Sequence, residues 1–263
     1  MGRRMGQHFL HSQEVLAKII AEAGVEAGEP VLEIGPGRGV LTERLLATGA
    51  RVTAVELDPV LCTHLRSRWG DHPAFQLVEG DVLKLDVSPR ALFGEEQPYA
   101  LIANLPYYLT SPLLFRLMLQ RRGINRMLLM VQREIAERLV AGPEQGKSYG
   151  SLGIAAQLAF QMRLCFVVPP GAFSPPPKVD SAVVAFHPLE PHLEPALESR
   201  YLEHVKGLFS TRRKMMLSTL RKKEPQAVAQ AGEALVSLLG NARPDALTPA
   251  QHLQAFQLLH PRL

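Results

Sequence analysis

Cysteine is scarce: the 263 residues hold only Cys62 and Cys165. They stand far apart in apolar segments, which excludes a disulfide framework and reads as two reduced core thiols of a cytoplasmic protein. Long apolar runs are also missing. None approaches the ~20 residues of a membrane-spanning helix, and the N-terminus has no signal-type apolar stretch. Gly2 is followed by Gly6 where a myristoylation site wants Ser or Thr, so neither a membrane span nor a lipid anchor is expected. Metal-ligand spacing is lacking too: of nine histidines, the nearest pair, His8 and His11, has no Cys or carboxylate partner. No metal is expected. Internal repeats and low-complexity tracts are absent. What remains is 46% hydrophobic and 21% charged, enough to bury the core of one large domain or two. The net charge of +4 points to a polyanionic partner only where it clusters.

The chain is organised around Asn104-Leu105-Pro106-Tyr107. The apolar run Tyr99 to Leu105 has strand length, and Pro106 ends it because proline cannot donate a ladder hydrogen bond. An amide side chain, a carbonyl fixed by Pro106 and an aromatic ring are thereby grouped at a strand tip. Two acceptors and a stacking face suit a heterocycle with an exocyclic amine, such as adenine. The tetrapeptide alone reads equally well as a strand followed by a proline turn.

Its neighbours decide between these. Pro30 to Gly35 is a short strand, and Gly35-Pro36-Gly37-Arg38-Gly39 leads into the helix Val40 to Ala47. A dinucleotide fingerprint needs its third glycine where Val40 stands, so this loop suits a nucleoside-type cofactor better than a pyrophosphate. The strand Arg51 to Val55 ends at Glu56, about 20 residues after Gly35, where a carboxylate can accept from both ribose hydroxyls. Phe75 to Val78 is followed by Glu79-Gly80-Asp81, and Asp81 is either a turn aspartate or an acceptor for a cofactor amino group. Ser111-Pro112 then opens the helix Leu113 to Gln120. Gly35, Glu56, Asp81 and Asn104 thus end successive strands that alternate with helices. That alternation predicts an α/β doubly wound sheet in which ligands bind at the carboxyl ends of the strands. With strand order 3-2-1-4-5, the glycine loop and Asn104 meet at the switch point.

Val31-Leu32-Glu33-Ile34-Gly35-Pro36-Gly37, Val55-Glu56-Leu57-Asp58, Gly80-Asp81 and Asn104-Leu105-Pro106-Tyr107 resemble the motifs of the rRNA adenine N6-dimethyltransferases. Met130-Val131-Gln132-Arg133-Glu134 and Phe173-Ser174-Pro175-Pro176-Pro177-Lys178-Val179-Asp180-Ser181 narrow the resemblance to the bacterial small-subunit, KsgA/RsmA type. It runs from Gly6-Gln7 to about Arg213-Lys214. The resemblance implies a Rossmann-like class I methyltransferase domain, with a mostly parallel seven-stranded sheet, followed by a small all-α domain. It also implies S-adenosylmethionine as cofactor, and N6,N6-dimethylation of two adjacent adenosines in the hairpin loop near the 3′ end of 16S rRNA. The RNA partner would be the small subunit or its precursor, and the enzyme a monomer.

Carried over by motif, Asn104, Leu105, Pro106, Tyr107 and Phe173 would surround the target base. His8, Leu10, Gly35, Gly37, Glu56, Asp81 and Asn104 would contact the cofactor or line the transfer pocket, under a lid formed by the arm Arg3 to Leu10. His8 stands where the family often has asparagine; histidine still donates a hydrogen bond, with a strength open to pH. The expected domains are 1–188, carrying the chemistry, and 189–263, helical over Leu202 to Leu220, Ala227 to Leu239 and Pro249 to Leu258. Lys206 to Lys223 holds seven basic residues and no acidic one. Arg212, Arg213, Lys214, Arg221, Lys222 and Lys223 are therefore expected to contact RNA phosphate. Two alternatives stay open: a 23S rRNA dimethyltransferase of the antibiotic-resistance type, and a ribosome-assembly factor whose catalysis is secondary. The glycine spacing disfavours a nicotinamide dehydrogenase.

Overall fold

The structure, a computed structural model, describes residues 8–261. Gly2, Arg3, Arg4, Gly6 and Gln7 lie outside the described residues, so only His8 to Leu10 of the expected arm can be placed. Two compact units divide the chain: Met1–Ala136 with Met162–Pro188, and Glu137–Gln161 with Leu189–Leu263. A boundary falls at Pro188, as in the sequence reading, but the helical unit also takes in Glu137–Gln161.

The first unit begins with β1 (Phe9–Leu10) and α1 (Gln13–Ala23). Ser12 caps α1 by accepting from Val15 N, and Gly24 ends it in the left-handed conformation at φ 53°. Strands and helices then alternate: β2 (Pro30–Ile34), α2 (Val40–Ala47), β3 (Arg51–Glu56), α3 (Pro59–Trp69), β4 (Phe75–Glu79), α4 (Pro89–Phe93), β5 (Tyr99–Asn104), α5 (Thr110–Gln120) and β6 (Ile124–Gln132). α6 (Arg133–Val140) leads into the helical unit, which takes α7 (Ser151–Ala159), and the chain returns through β7 (Phe160–Val168), β8 (Phe173–Ser174) and β9 (Ser181–Pro188).

Seven strands form one sheet in the order β4-β3-β2-β5-β6-β9-β7, with β4 through β6 parallel and β9 antiparallel to β6. The expected 3-2-1-4-5 order is therefore present, and the switch lies between β2 and β5. β2 is buried along its whole length, as a central parallel strand covered on both faces must be. Cys62 is fully buried, whereas Cys165 is only half-buried. The expectation of two core thiols fails for Cys165 because β7 is an edge strand of the sheet.

The second unit adds α8 (Pro195–Phe209), α9 (Met216–Lys223), α10 (Pro225–Leu239) and α11 (Pro249–Leu259). Leu208, Met216, Leu220, Leu235 and Leu259 share one of its apolar clusters. The single helix expected over Leu202–Leu220 is broken between α8 and α9. Ser210 Oγ and Thr211 Oγ1 bond back to the carbonyls of Gly207 and Leu208, competing with helix propagation. Arg212 is drawn aside as well: its guanidinium donates to Asp245 Oδ2 at 2.9 Å, Lys147 O at 3.1 Å and Gly146 O at 2.6 Å.

Candidate active site

A cleft of 790 Å³ opens at the carboxyl ends of β2, β3 and β5. His8, Leu10, Gly35, Gly37, Glu56, Asp81, Asn104, Leu105, Pro106, Tyr107 and Phe173 all line it. Every residue expected around the base or cofactor thus faces one space.

The loop after β2 turns through glycines with positive φ, and two of these cannot readily be anything else. A Cβ on Gly37 (φ 60°) would stand 3.2 Å from the Phe9 ring, and one on Gly39 (φ 77°) would overlap Trp69 at 2.2 Å. Phe9 therefore packs directly on the glycine loop, and Arg38 lies over its ring at 4.7 Å. Glu56, only 6% exposed, ties this loop to the tip of β3. Its Oε2 accepts from Gly37 N at 3.2 Å, and its Oε1 from Leu57 N at 2.8 Å and Asp58 N at 2.9 Å. A carboxylate offers about four lone-pair sites, so one strong site is left. The expected ribose contact would thus share the Glu56 carboxylate with three backbone donors.

Asp81 makes the turn bond that its alternative reading required, Oδ1 accepting from Leu83 N at 3.0 Å. It also faces the cleft. Arg116 of α5 braces the turn, its guanidinium donating to the carbonyls of Leu83 and Leu85. The Asn104 amide has no hydrogen-bond partner among the described residues and stands in the cleft wall. The Pro106 carbonyl already accepts from Leu109 N at 2.9 Å, because Tyr107–Leu109 forms a 3₁₀ turn. Among the described residues no backbone N–H reaches the Leu105 carbonyl, which leaves it as the less committed acceptor beside Asn104.

Sequence reasoning missed several contributors. Ser181, buried at the start of β9, meets the Tyr107 hydroxyl at 3.0 Å and fixes that ring. The Pro175 carbonyl holds His8 Nδ1 at 2.7 Å. With β1 paired antiparallel to β8, Leu10 opposite Phe173, the arm is clasped by the segment bearing the expected second aromatic. Phe173 itself is 3% exposed and packed in the core cluster with Leu10 and Leu16. It lines the cleft nonetheless. Tyr108, by contrast, is 56% exposed on the rim. Glu33 is wholly buried under the cleft and accepts from Thr42 Oγ1 at 2.6 Å. Burial first, then the charge of Glu56, pushes its carboxyl from the ordinary 4.5 to about 8. Glu33 is therefore protonated at neutral pH. A carboxylate inside the apolar run Val31–Ile34 was the signal available in the sequence.

In the helical unit, Arg213, Lys214, Arg221 and Lys222 are exposed. Arg212 is spent on Asp245 and two carbonyls, and Lys223 Nζ donates to Gly207 O at 2.9 Å. No helix among the described residues is long and apolar enough to cross a membrane.

Residues 2–260 match the family model for ribosomal RNA adenine dimethylase. The chain is 45% identical over 238 residues to ribosomal RNA small subunit methyltransferase A of Thermosynechococcus vestitus, covering 87% of this chain and 86% of that one. It is 39% identical to the protein of the same name from Synechococcus sp. RCC307, over 99% and 97% of the two chains. Among solved structures, a dimethyladenosine transferase from Plasmodium falciparum superposes with a TM-score of 0.78 at 25% identity, covering 94% and 96%. The 23S rRNA methyltransferase ErmE gives 0.70 at 29% identity, over 95% and 99%. The chain belongs to the ribosomal RNA adenine dimethylase family.

Proposed function

We propose that this enzyme converts two adjacent adenosines, in the hairpin loop near the 3′ end of 16S rRNA, to N6,N6-dimethyladenosine. The observation that carries this reading is the unpartnered Asn104 amide, standing with Tyr107 and Glu56 around one cleft. S-adenosylmethionine fits the residues present: an acceptor remains on Glu56, the glycine loop leaves the backbone approachable, and Asp81 offers a further carboxylate. When bound, it supplies an electrophilic methyl group on a sulfonium.

The chain's own residues do the positioning. An adenine amino nitrogen is a weak nucleophile because its lone pair is delocalised into the ring. Asn104 Oδ1 accepts one N–H, and the Leu105 or Pro106 carbonyl accepts the other. The nitrogen is thereby held towards tetrahedral geometry with its lone pair aimed at the methyl. Tyr107, anchored by Ser181, covers one face of the base. With a methyl donor of that kind bound, the orientation these residues impose would supply much of the acceleration, and no strong general base would be needed beforehand. The arm residues His8 to Leu10 close over the cofactor side of the cleft.

Arg213, Lys214, Arg221 and Lys222 contribute phosphate contacts in this reading, in a cytoplasmic enzyme that works as a monomer on the small subunit or its precursor. Identity supports the small-subunit substrate over the large: 39–45% to relatives named for the small subunit against 29% to ErmE. Incubation with labelled S-adenosylmethionine and undermethylated small or large subunits, followed by mapping of the label, tests it. Label confined to two adjacent small-subunit adenosines is expected. Label on large-subunit RNA would favour the ErmE-like alternative, and binding to precursors without label a purely assembly role.

A further inference from the structure

We propose that His204, Glu224 and His260 form a divalent-metal site of the zinc type within the helical unit. His204 lies in α8, Glu224 at the joint between α9 and α10, and His260 immediately after α11. Their ligand atoms all stand within 4.8 Å of one another. His204 Nδ1 is 3.5 Å from Glu224 Oε1, and His260 Nε2 is 3.4 Å from Glu224 Oε2.

Those separations discriminate between two arrangements. A charge-assisted N–H···O bond closes to about 2.7–2.9 Å, so both pairs are too long for one. Ligands about 2.0–2.2 Å from a tetrahedral zinc stand about 3.3–3.6 Å apart along an edge, and the two histidine–carboxylate separations, 3.5 and 3.4 Å, fall in that range. The His204 side chain is only 6% exposed, so its Nδ1 faces Glu224 with little access to water. Two imidazoles and a carboxylate select zinc, cobalt(II) or nickel over magnesium or calcium. The Glu224 side chain is 29% exposed, which leaves room for water as a fourth ligand.

Neighbouring charges do not cancel the attraction. His252, near His204, is lowered to about 4 by burial and adds no charge. Arg200, near Glu224 and His260, is an opposing cation. A bound metal would tie α8, the α9–α10 joint and the end of α11 together.

Untagged full-length protein, stripped by chelator dialysis, is titrated with zinc chloride by calorimetry and with cobalt(II) by visible spectroscopy. One saturable site per chain, tetrahedral cobalt bands and a higher melting temperature with zinc are expected. Glu224→Gln and His260→Ala, checked for folding by circular dichroism, should each lose all three signals. Magnesium should give none. Absence of stoichiometric zinc in the unsubstituted protein, or zinc binding that survives both substitutions, would overturn the assignment.

Discussion

Replacing Glu56 by Gln separates cofactor binding from catalysis and tests the hydrogen-bond count at the tip of β3. Three of about four lone-pair sites on the carboxylate are taken by Gly37, Leu57 and Asp58 N–H groups. One remains for a ribose hydroxyl. Glutamine keeps an acceptor for Leu57 and Asp58 but turns an N–H donor, or a weaker acceptor, towards Gly37 and the ribose. A hydrogen bond to a charged group is worth about 1.5–3 kcal/mol, which corresponds to about 10- to 150-fold in Kd. A loss at the upper end or beyond would mean that both hydroxyls depend on Glu56. Asn104→Ala should instead abolish methyl transfer while changing cofactor affinity only a few-fold, because its amide has no partner among the described residues and is left for the base in this reading. Isothermal titration with S-adenosylmethionine gives both affinities, and a filter assay with labelled cofactor gives both rates. Equal affinity losses in the two variants, or unimpaired binding by Glu56→Gln, would refute the division of roles.

Ser181→Ala should lower kcat by roughly fivefold, the worth of a ~1 kcal/mol hydrogen bond, with KM little changed. Ser181→Thr should restore the rate, and steady-state kinetics on undermethylated subunits read both. Phe173→Leu keeps most of the core volume, so stability should fall by less than about 1.5 kcal/mol. If the ring stacks on the base, the second methyl transfer slows more than the first in nucleoside mass spectrometry; an unchanged ratio would make Phe173 a core residue alone. Neutralising Arg213 and Lys214 should flatten the log–log salt dependence of RNA binding by up to ~2. Arg212→Ala should lower the melting temperature instead, since Arg212 serves Asp245 and two carbonyls. Between pH 4.5 and about 8, folded Glu33 keeps a proton that the unfolded chain has released. Its contribution therefore makes stability fall as pH rises through that window, and Glu33→Gln should flatten the slope of denaturant midpoint against pH.

The alternation of strands and helices, and the gathering of Gly35, Glu56, Asp81 and Asn104 at one end of the sheet, were legible in the sequence because they follow local rules, whereas His8, Leu10 and Phe173 were reached only through the family resemblance. Apolar runs of strand length alternate with amphipathic helices, and polar residues at each run's carboxyl end must gather where a doubly wound sheet brings those ends together. The break at Ser210–Met215 was not legible, because side-chain bonds to backbone and the pull of Asp245 overrode a good apolar periodicity. Nor was the division of the basic run. Charge is a property of sequence, but whether Arg212 meets solvent or a carbonyl depends on Gly146 and Lys147, far away in the chain.

What the sequence determined by itself is the chemistry on offer: an amide, an aromatic ring and a carboxylate, each at a strand tip. What only the tertiary structure decided is how much of each remains free. Backbone donors occupy most of Glu56, Leu109 occupies the Pro106 carbonyl, the β1–β8 pairing buries Phe173, and the fold of four helices brings two distant histidines to one glutamate. Hydrogen-bond capacity and burial are set by neighbours in space, and those neighbours are remote in sequence.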